Sequence, residues 1–324
     1  MKAMVCEAFG GPEVLAMREV PDPPPPGPDE IQVRIGARGV QYVDVLMLAG
    51  KYQVRPEPPF IPGREAAGVV VAVGSGVADL RVGDRVMSRH TLGTFAELGN
   101  AKAVLCDKIP DGMSIEHAGV FQGAYGTAYY ALLQRGRMAA GEWVLVHGAA
   151  GGIGIAAIQV AKLFGARVIA TASTEAKRAV CIEEGADHAI DYREGFVDTV
   201  KELTDGRGVD IVYDPIGDKV GEESLRCLAF GGRLLILGFV GGGPSQIRSN
   251  YLLIKGIEAI GVRHGRLNEE NPALALSNMK ALTELAGQGK LKPRISHRFR
   301  LEEAAKAVQA VIDRAVVGKA VIVS

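Results

Sequence analysis

The chain has 324 residues, 48% of them hydrophobic and 23% charged, which describes a globular protein too long for one ordinary core and suited to two domains. Lys plus Arg number 37 and Asp plus Glu number 37, so no net field draws nucleic acid or an anionic membrane, and any anion site must be local. The first residues, Met1-Lys2-Ala3-Met4-Val5-Cys6-Glu7, lack the apolar stretch of a signal peptide. No apolar run reaches membrane-span length, and a cytoplasmic protein with no membrane partner is expected. Cys6, Cys106, Cys181 and Cys227 are scattered, as reduced thiols of a cytosolic protein would be.

Residues 1–122 read as β-rich. Residues 30–35 alternate like a half-buried strand, and 69–73 form a β-branched strand stopped by Gly74. A further strand-like run, 82–86, follows a turn. The proline-rich segment 21–28 cannot pair in a sheet; it is read as a stiff surface connection rather than a ligand for a proline-binding partner.

From residue 123 strands alternate with helices. The strand 143–147 runs into Gly148-Ala149-Ala150-Gly151-Gly152-Ile153-Gly154 and a helix to Phe164, whose apolar face is Ile153, Ala157, Val160, Ala161 and Phe164, with Gly165 as its stop. Strands are then expected at 168–172, 188–192, 209–213, 233–237 and 257–262, with helices at 175–184 and through 200. Such alternation makes an α/β fold with a doubly wound parallel sheet. A long helix at 272–286, a strand at 295–299, a helix at 301–314 and a last strand at 320–323 are expected to return to the N-terminal domain. The domains are therefore drawn as 1–122 plus 265–324, and an inserted dinucleotide-binding domain at 123–264.

The glycine loop has the context that gives a dinucleotide fingerprint its meaning, an apolar strand before it and an amphipathic helix after it. Glycines let the backbone turn and the phosphates approach, and the helix N-terminus offers N–H groups and partial positive charge. Ala150, Gly151, Gly152 and Ile153 are the expected pyrophosphate contacts. An NAD site places an acid about 20 residues further on, at the end of the second strand. Here that place is Ser173, with Lys177 and Arg178 a helical turn on, suited to a 2′-phosphate. Glu175 is the competing signal, with a plain alternative role as first-turn charge on the helix dipole. Lys177 and Arg178 also have one, as solvated helix charges. NADPH is favoured over NADH.

Several segments together resemble the zinc-independent NADPH:quinone oxidoreductases, the zeta-crystallin-like branch of the medium-chain dehydrogenase/reductase superfamily. They are Gly39-Val40-Gln41-Tyr42-Val43-Asp44, Gly50-Lys51-Tyr52-Gln53-Val54, Pro62-Gly63-Arg64-Glu65-Ala66-Ala67-Gly68-Val69-Val70, Val82-Gly83-Asp84-Arg85-Val86, the glycine loop and Val317-Gly318-Lys319. The resemblance implies a Rossmann domain inserted into a GroES-like catalytic domain, substrate in the cleft between them, and homodimers joined through Rossmann edge strands.

The zinc enzymes of that superfamily place Cys and then Gly-His-Glu in the catalytic domain; this chain has Gln41 and Gly63-Arg64-Glu65. A structural zinc lobe needs four close cysteines, and between Ser88 and Cys106 only His90 and Cys106 are metal-binding types. No zinc is expected. Without a Lewis acid, alcohol oxidation loses its support, whereas reduction of a quinone or an activated C=C bond needs mainly orientation and a proton or hydrogen-bond donor.

By resemblance Tyr52 lines the quinone pocket, where a phenol can donate to a developing oxyanion; a packed loop tyrosine is the alternative. Gln41 stands where the family usually has Asn, one methylene longer, and is expected at both substrate and cofactor; Asp44 is expected to be structural. Also by resemblance, Ser173, Lys177 and Tyr192 would clasp the 2′-phosphate, Thr127 would meet the nicotinamide mononucleotide half, and Gly238, Phe239 and Val240 would face the nicotinamide. Arg263 and His264 are candidates for the same cleft, with a surface-loop role as the alternative, and Lys319 is a candidate for the cofactor. His147 is read as a strand-end filler. The function expected is NADPH-dependent reduction of quinones or related conjugated carbonyls. The alternatives are an enal or enoyl-thioester reductase and a weakly catalytic NADPH-binding crystallin-like protein.

Overall fold

The computed structural model describes residues 1–193 and 195–324, which form two compact units. One is Met1–Gly123 with Met279–Ser324; the other is Ala124–Asn278.

The first unit is built on a seven-stranded sheet. Its long strand Glu30–Val40 pairs antiparallel with Glu65–Val73 on one side and with Lys319–Val323 on the other. The strand Ile295–Arg300 adds in parallel outside Lys319–Val323. The C-terminal segment is therefore part of the N-terminal sheet, and the nucleotide unit is an insertion. Alternation buries Ile31, Val33 and Ile35 beneath Val70 and Val86. The expected strand at 82–86 begins later, at Arg85–Arg89, because Val82 and Gly83 form the preceding turn and Val82 is exposed.

The inserted unit is a six-stranded parallel sheet in the order His188–Ile190, Arg167–Thr171, Trp143–Val146, Val209–Asp214, Leu228–Ile236, Glu258–Gly261. The order reverses direction at the central strand, as in doubly wound sheets, and sets the ligand crevice at the carboxyl ends there. Leu145, Ile169, Val212, Leu225 and Leu234 fill the layer beneath the sheet.

Three further expectations need correction. The return of the chain lies between Asn278 and Met279 rather than at 264/265. The start of the helix Pro272–Gly287 is held to the nucleotide unit by the paired amides of Asn278 and Gln134, at 2.9 Å for Asn278 Nδ2 to Gln134 Oε1. Phe164 does not join the buried face of the helix Gly152–Leu163: it caps the helix, stays 36% exposed and meets the Tyr129 ring edge-on at 5.8 Å. The expected helix at 301–314 is a 3-10 turn, Leu301–Glu303, followed by Ala304–Ile312.

Candidate functional site

In the nucleotide unit the phosphate loop is built as its residues require. Gly148 has φ 57°, in the left-handed region that favours glycine. A Cβ on Gly154 would lie 2.5 Å from the Gly148 carbonyl oxygen and 2.6 Å from Ala149 Cα, so only glycine lets the helix Gly152–Leu163 pack this tightly on the loop. The first helical bond runs from Ile155 N–H to the Gly151 carbonyl at 2.9 Å. The N–H groups of Gly152 and Ile153 ahead of it therefore point out of the helix end, where a pyrophosphate would be held. Below the loop His147 is fully buried between Thr171 Oγ1, 3.0 Å from Nδ1, and Ser224 Oγ, 2.8 Å from Nε2. Burial pulls its pKa down to about 3, so it is a neutral structural link.

At the end of the second strand, Ser173 is half-buried and Thr174 caps the helix Glu175–Glu183 by accepting from Lys177 N–H at 3.3 Å. Arg178 turns back into the unit, donating to the Ala172 carbonyl at 3.2 Å and to Asp191 Oδ2 at 3.0 Å. Arg193 also holds Asp191, at 2.7 Å, and this hydrogen bond keeps the carboxyl well below the usual carboxylate range. Asp191 and Arg193 were not singled out by sequence; the signal was an acid just past the third strand. Tyr192 between them is half-buried against the core beneath the sheet.

Past the sheet's other half, residues 238–240 form the loop after Leu228–Ile236. Val240 N–H donates to the Pro215 carbonyl at 3.1 Å, Gly241 N–H to the Ile216 carbonyl at 2.8 Å, and Phe239 is 48% exposed. Thr127 lies on the helix Gln122–Tyr129 next to Gly126, where a Cβ would come within 2.6 Å of the His264 ring. The helix that carries Thr127 is thereby brought against His264, and exposed Arg263 precedes that histidine in the chain.

In the first unit a second cluster forms. Gln41 precedes the helix Tyr42–Leu48, and its N–H donates to Asp44 Oδ2 at 2.8 Å. Asp44 is fully buried, and desolvation pushes its pKa up to about 7. Glu65 accepts from Lys319 Nζ at 2.8 Å and from Gly123 N–H at 3.0 Å. Gln41 Nε2 borders the same glycine, 2.8 Å from where a Cβ would stand. Lys319, expected at the cofactor, is buried in this ion pair. Arg64 Nη1 donates to the Tyr52 phenol oxygen at 3.3 Å, and its guanidinium carbon lies 5.6 Å from the centre of that ring. Among the described residues no group of three or more His, Cys, Asp or Glu side chains could hold a metal ion, and no helix is long and apolar enough to cross a membrane.

Comparison with known proteins accords with both units. The alcohol dehydrogenase GroES-like domain family matches residues 27–139, and the zinc-binding dehydrogenase family matches 152–280. The chain is 36% identical over 320 residues to quinone oxidoreductase-like protein 2 of Rattus norvegicus, covering 98% of this chain and 91% of that protein. It is 32% identical over 314 residues to the quinone oxidoreductase of Homo sapiens, covering 96% of this chain and 94% of that one. The crystal structure of Escherichia coli quinone oxidoreductase complexed with NADPH superposes with a TM-score of 0.93 at 31% identity, covering 100% of both chains. The chain is an oxidoreductase and belongs to the quinone oxidoreductase branch of the medium-chain dehydrogenase/reductase superfamily.

Proposed function

We propose that this oxidoreductase is an NADPH-dependent, metal-free reductase of quinones or related conjugated carbonyls. The observation that carries the reading is the Arg64–Tyr52 pair: at the position where the zinc enzymes of the superfamily place a histidine, an arginine donates to a phenol at 3.3 Å. A guanidinium is a cation with no lone pair to give a metal.

The phosphate loop residues Ala150, Gly151, Gly152 and Ile153 would hold the pyrophosphate, and Ser173, Lys177 and Tyr192 the 2′-phosphate. Thr127, Gly238, Phe239, Val240 and Arg263 would line the nicotinamide half. When bound, NADPH supplies hydride. The chain's own part is to orient the acceptor and stabilise the oxygen on which negative charge develops. Tyr52 can do this because its oxygen already accepts from Arg64, which leaves its own O–H proton to donate. The Gln41 amide is a second donor. The homodimer expected of the branch is supported by the open edge strand Glu258–Gly261, and by exposed Phe230 on the adjacent strand with Leu253 and Ile254 on the preceding helix.

Oxidation of NADPH followed with a panel of quinones, enals and enoyl thioesters tests the reading. Turnover with quinones supports it, and turnover confined to C=C substrates replaces it with the enal or enoyl-thioester reductase. Micromolar NADPH binding without turnover on any acceptor replaces it with a cofactor-binding crystallin-like role.

A further inference from the structure

Arg64 is half-buried, and no carboxylate among the described residues forms an ion pair with it. Its Nε is buried without a hydrogen-bond partner, and the one hydrogen bond of its guanidinium among the described residues goes to a neutral phenol, Tyr52. It makes no ion pair among the described residues, although two carboxylates lie close by. Glu65, its chain neighbour, is taken by Lys319 Nζ at 2.8 Å and by Gly123 N–H at 3.0 Å. Asp44 is bound by the Gln41 N–H at 2.8 Å and sits in a fully buried place where desolvation favours its neutral form. The Glu65 and Lys319 charges cancel each other, and Asp44 feels the Arg64 charge without contacting it while burial holds its carboxyl towards the neutral form, so the guanidinium fork keeps donors with no carboxylate on them.

A cation removed from water without a counter-charge is costly to keep. A guanidinium presents five N–H donors in a planar fork matched to a carboxylate, and here one is spent on Tyr52. The same phenol is the donor assigned above to the acceptor's carbonyl oxygen. An acceptor whose carbonyl reaches Tyr52 therefore brings its near side to Arg64.

We propose that Arg64 is a specificity-determining residue that selects conjugated carbonyl acceptors bearing a carboxylate, binding that group through the part of its fork that Tyr52 does not use. This rests on the reductase reading, in which Tyr52 faces the acceptor. It narrows the substrate class from conjugated carbonyls to anionic ones, such as unsaturated oxo acids and carboxylated quinones.

The test needs no turnover. 2-Naphthoate and its neutral isostere 2-naphthamide are titrated into the full-length protein by calorimetry, with and without saturating NADP+. Wild type is expected to bind the acid at least ~10-fold more tightly than the amide, the scale of one charge-assisted bidentate contact. In Arg64→Met the acid-to-amide ratio should fall to about 1, and in Arg64→Lys, which keeps charge but loses the fork, it should lie between. Thermal melts show whether each variant is folded, and Arg64→Lys carries the comparison if Arg64→Met is not. Equal affinities for acid and amide in wild type, no binding of either, or an undiminished ratio in a folded variant overturn the proposal. Reduction of the neutral quinone menadione, measured separately, judges the reductase reading alone.

Discussion

Lys319 Nζ donates to Glu65 Oε1 at 2.8 Å, with the two side chains 10% and 3% exposed, and so joins the last strand of the chain to the first residue of the strand Glu65–Val73. Removing one member of such a pair strands a buried charge. Lys319→Met is expected to destabilise the protein by about 3–5 kcal/mol in urea unfolding. The double variant Lys319→Met/Glu65→Gln should recover most of that loss. A single variant as stable as wild type would show that the pair is solvated.

Gly154→Ala places a methyl 2.5 Å from the Gly148 carbonyl oxygen and 2.6 Å from Ala149 Cα, both backbone atoms that cannot step aside alone. Such overpacking should cost about 1–3 kcal/mol and spread the phosphate loop. Thermal melts should show a lower midpoint and a smaller upward shift on adding NADPH than in wild type.

Lys177 and Ser173 are assigned to the 2′-phosphate. Lys177→Ala should weaken NADPH binding by about 10-fold or more, the scale of one charge-assisted hydrogen bond to a phosphate, and change NADH binding little. Ser173→Asp should favour NADH, since a carboxylate there can accept from ribose hydroxyls and repels a phosphate. Fluorescence titration with both nucleotides decides it; equal losses for the two in Lys177→Ala speak against the assignment.

Asp44 makes stability depend on pH. Its folded pKa, about 7, lies above that of an unfolded carboxyl, so between roughly pH 4 and 7 the folded state binds more protons than the unfolded one. Its contribution is complete at the acid end and is lost as pH rises through 7. Asp44→Asn, which cannot ionise, should gain stability relative to wild type on going from pH 5 to pH 8 in urea titrations. His147, depressed to about 3, acts with opposite sign and weakens the fold as pH falls below about 6.5. It is common to both proteins and cancels in their difference. A difference that is flat with pH would mean Asp44 is ionised in the folded protein throughout.

The metal-free reading predicts that dialysis against a strong chelator leaves quinone reductase activity unchanged. Elemental analysis should find zinc far below one per chain. One zinc per chain, with activity lost on chelation and restored by zinc, would overturn it.

The sequence by itself determined what depends on spacing along the chain. A parallel α/β unit follows from the alternation of apolar strands and helices after residue 123. The phosphate loop follows from glycines at 148, 151, 152 and 154, because turning the backbone and packing a helix on it are local demands. The expected loss of zinc rests on single positions, Gln41 and Arg64. Boundaries were less legible: Val82, Phe164 and the 301–314 helix shifted because burial, not periodicity, decides where an element ends.

Only the tertiary structure decided which charges meet. Arg178 reads on its helix as a candidate for phosphate, yet the fold turns it to Asp191 on the neighbouring strand's loop. Lys319 reads as a cofactor candidate from the tail and is committed to Glu65, 254 positions away. Arg64 shows the converse: as a sequence position it marks a missing ligand, and only the packing reveals a cation whose carboxylate neighbours are already engaged. Coulomb energies depend on distance and burial, and neither is written in the order of the residues.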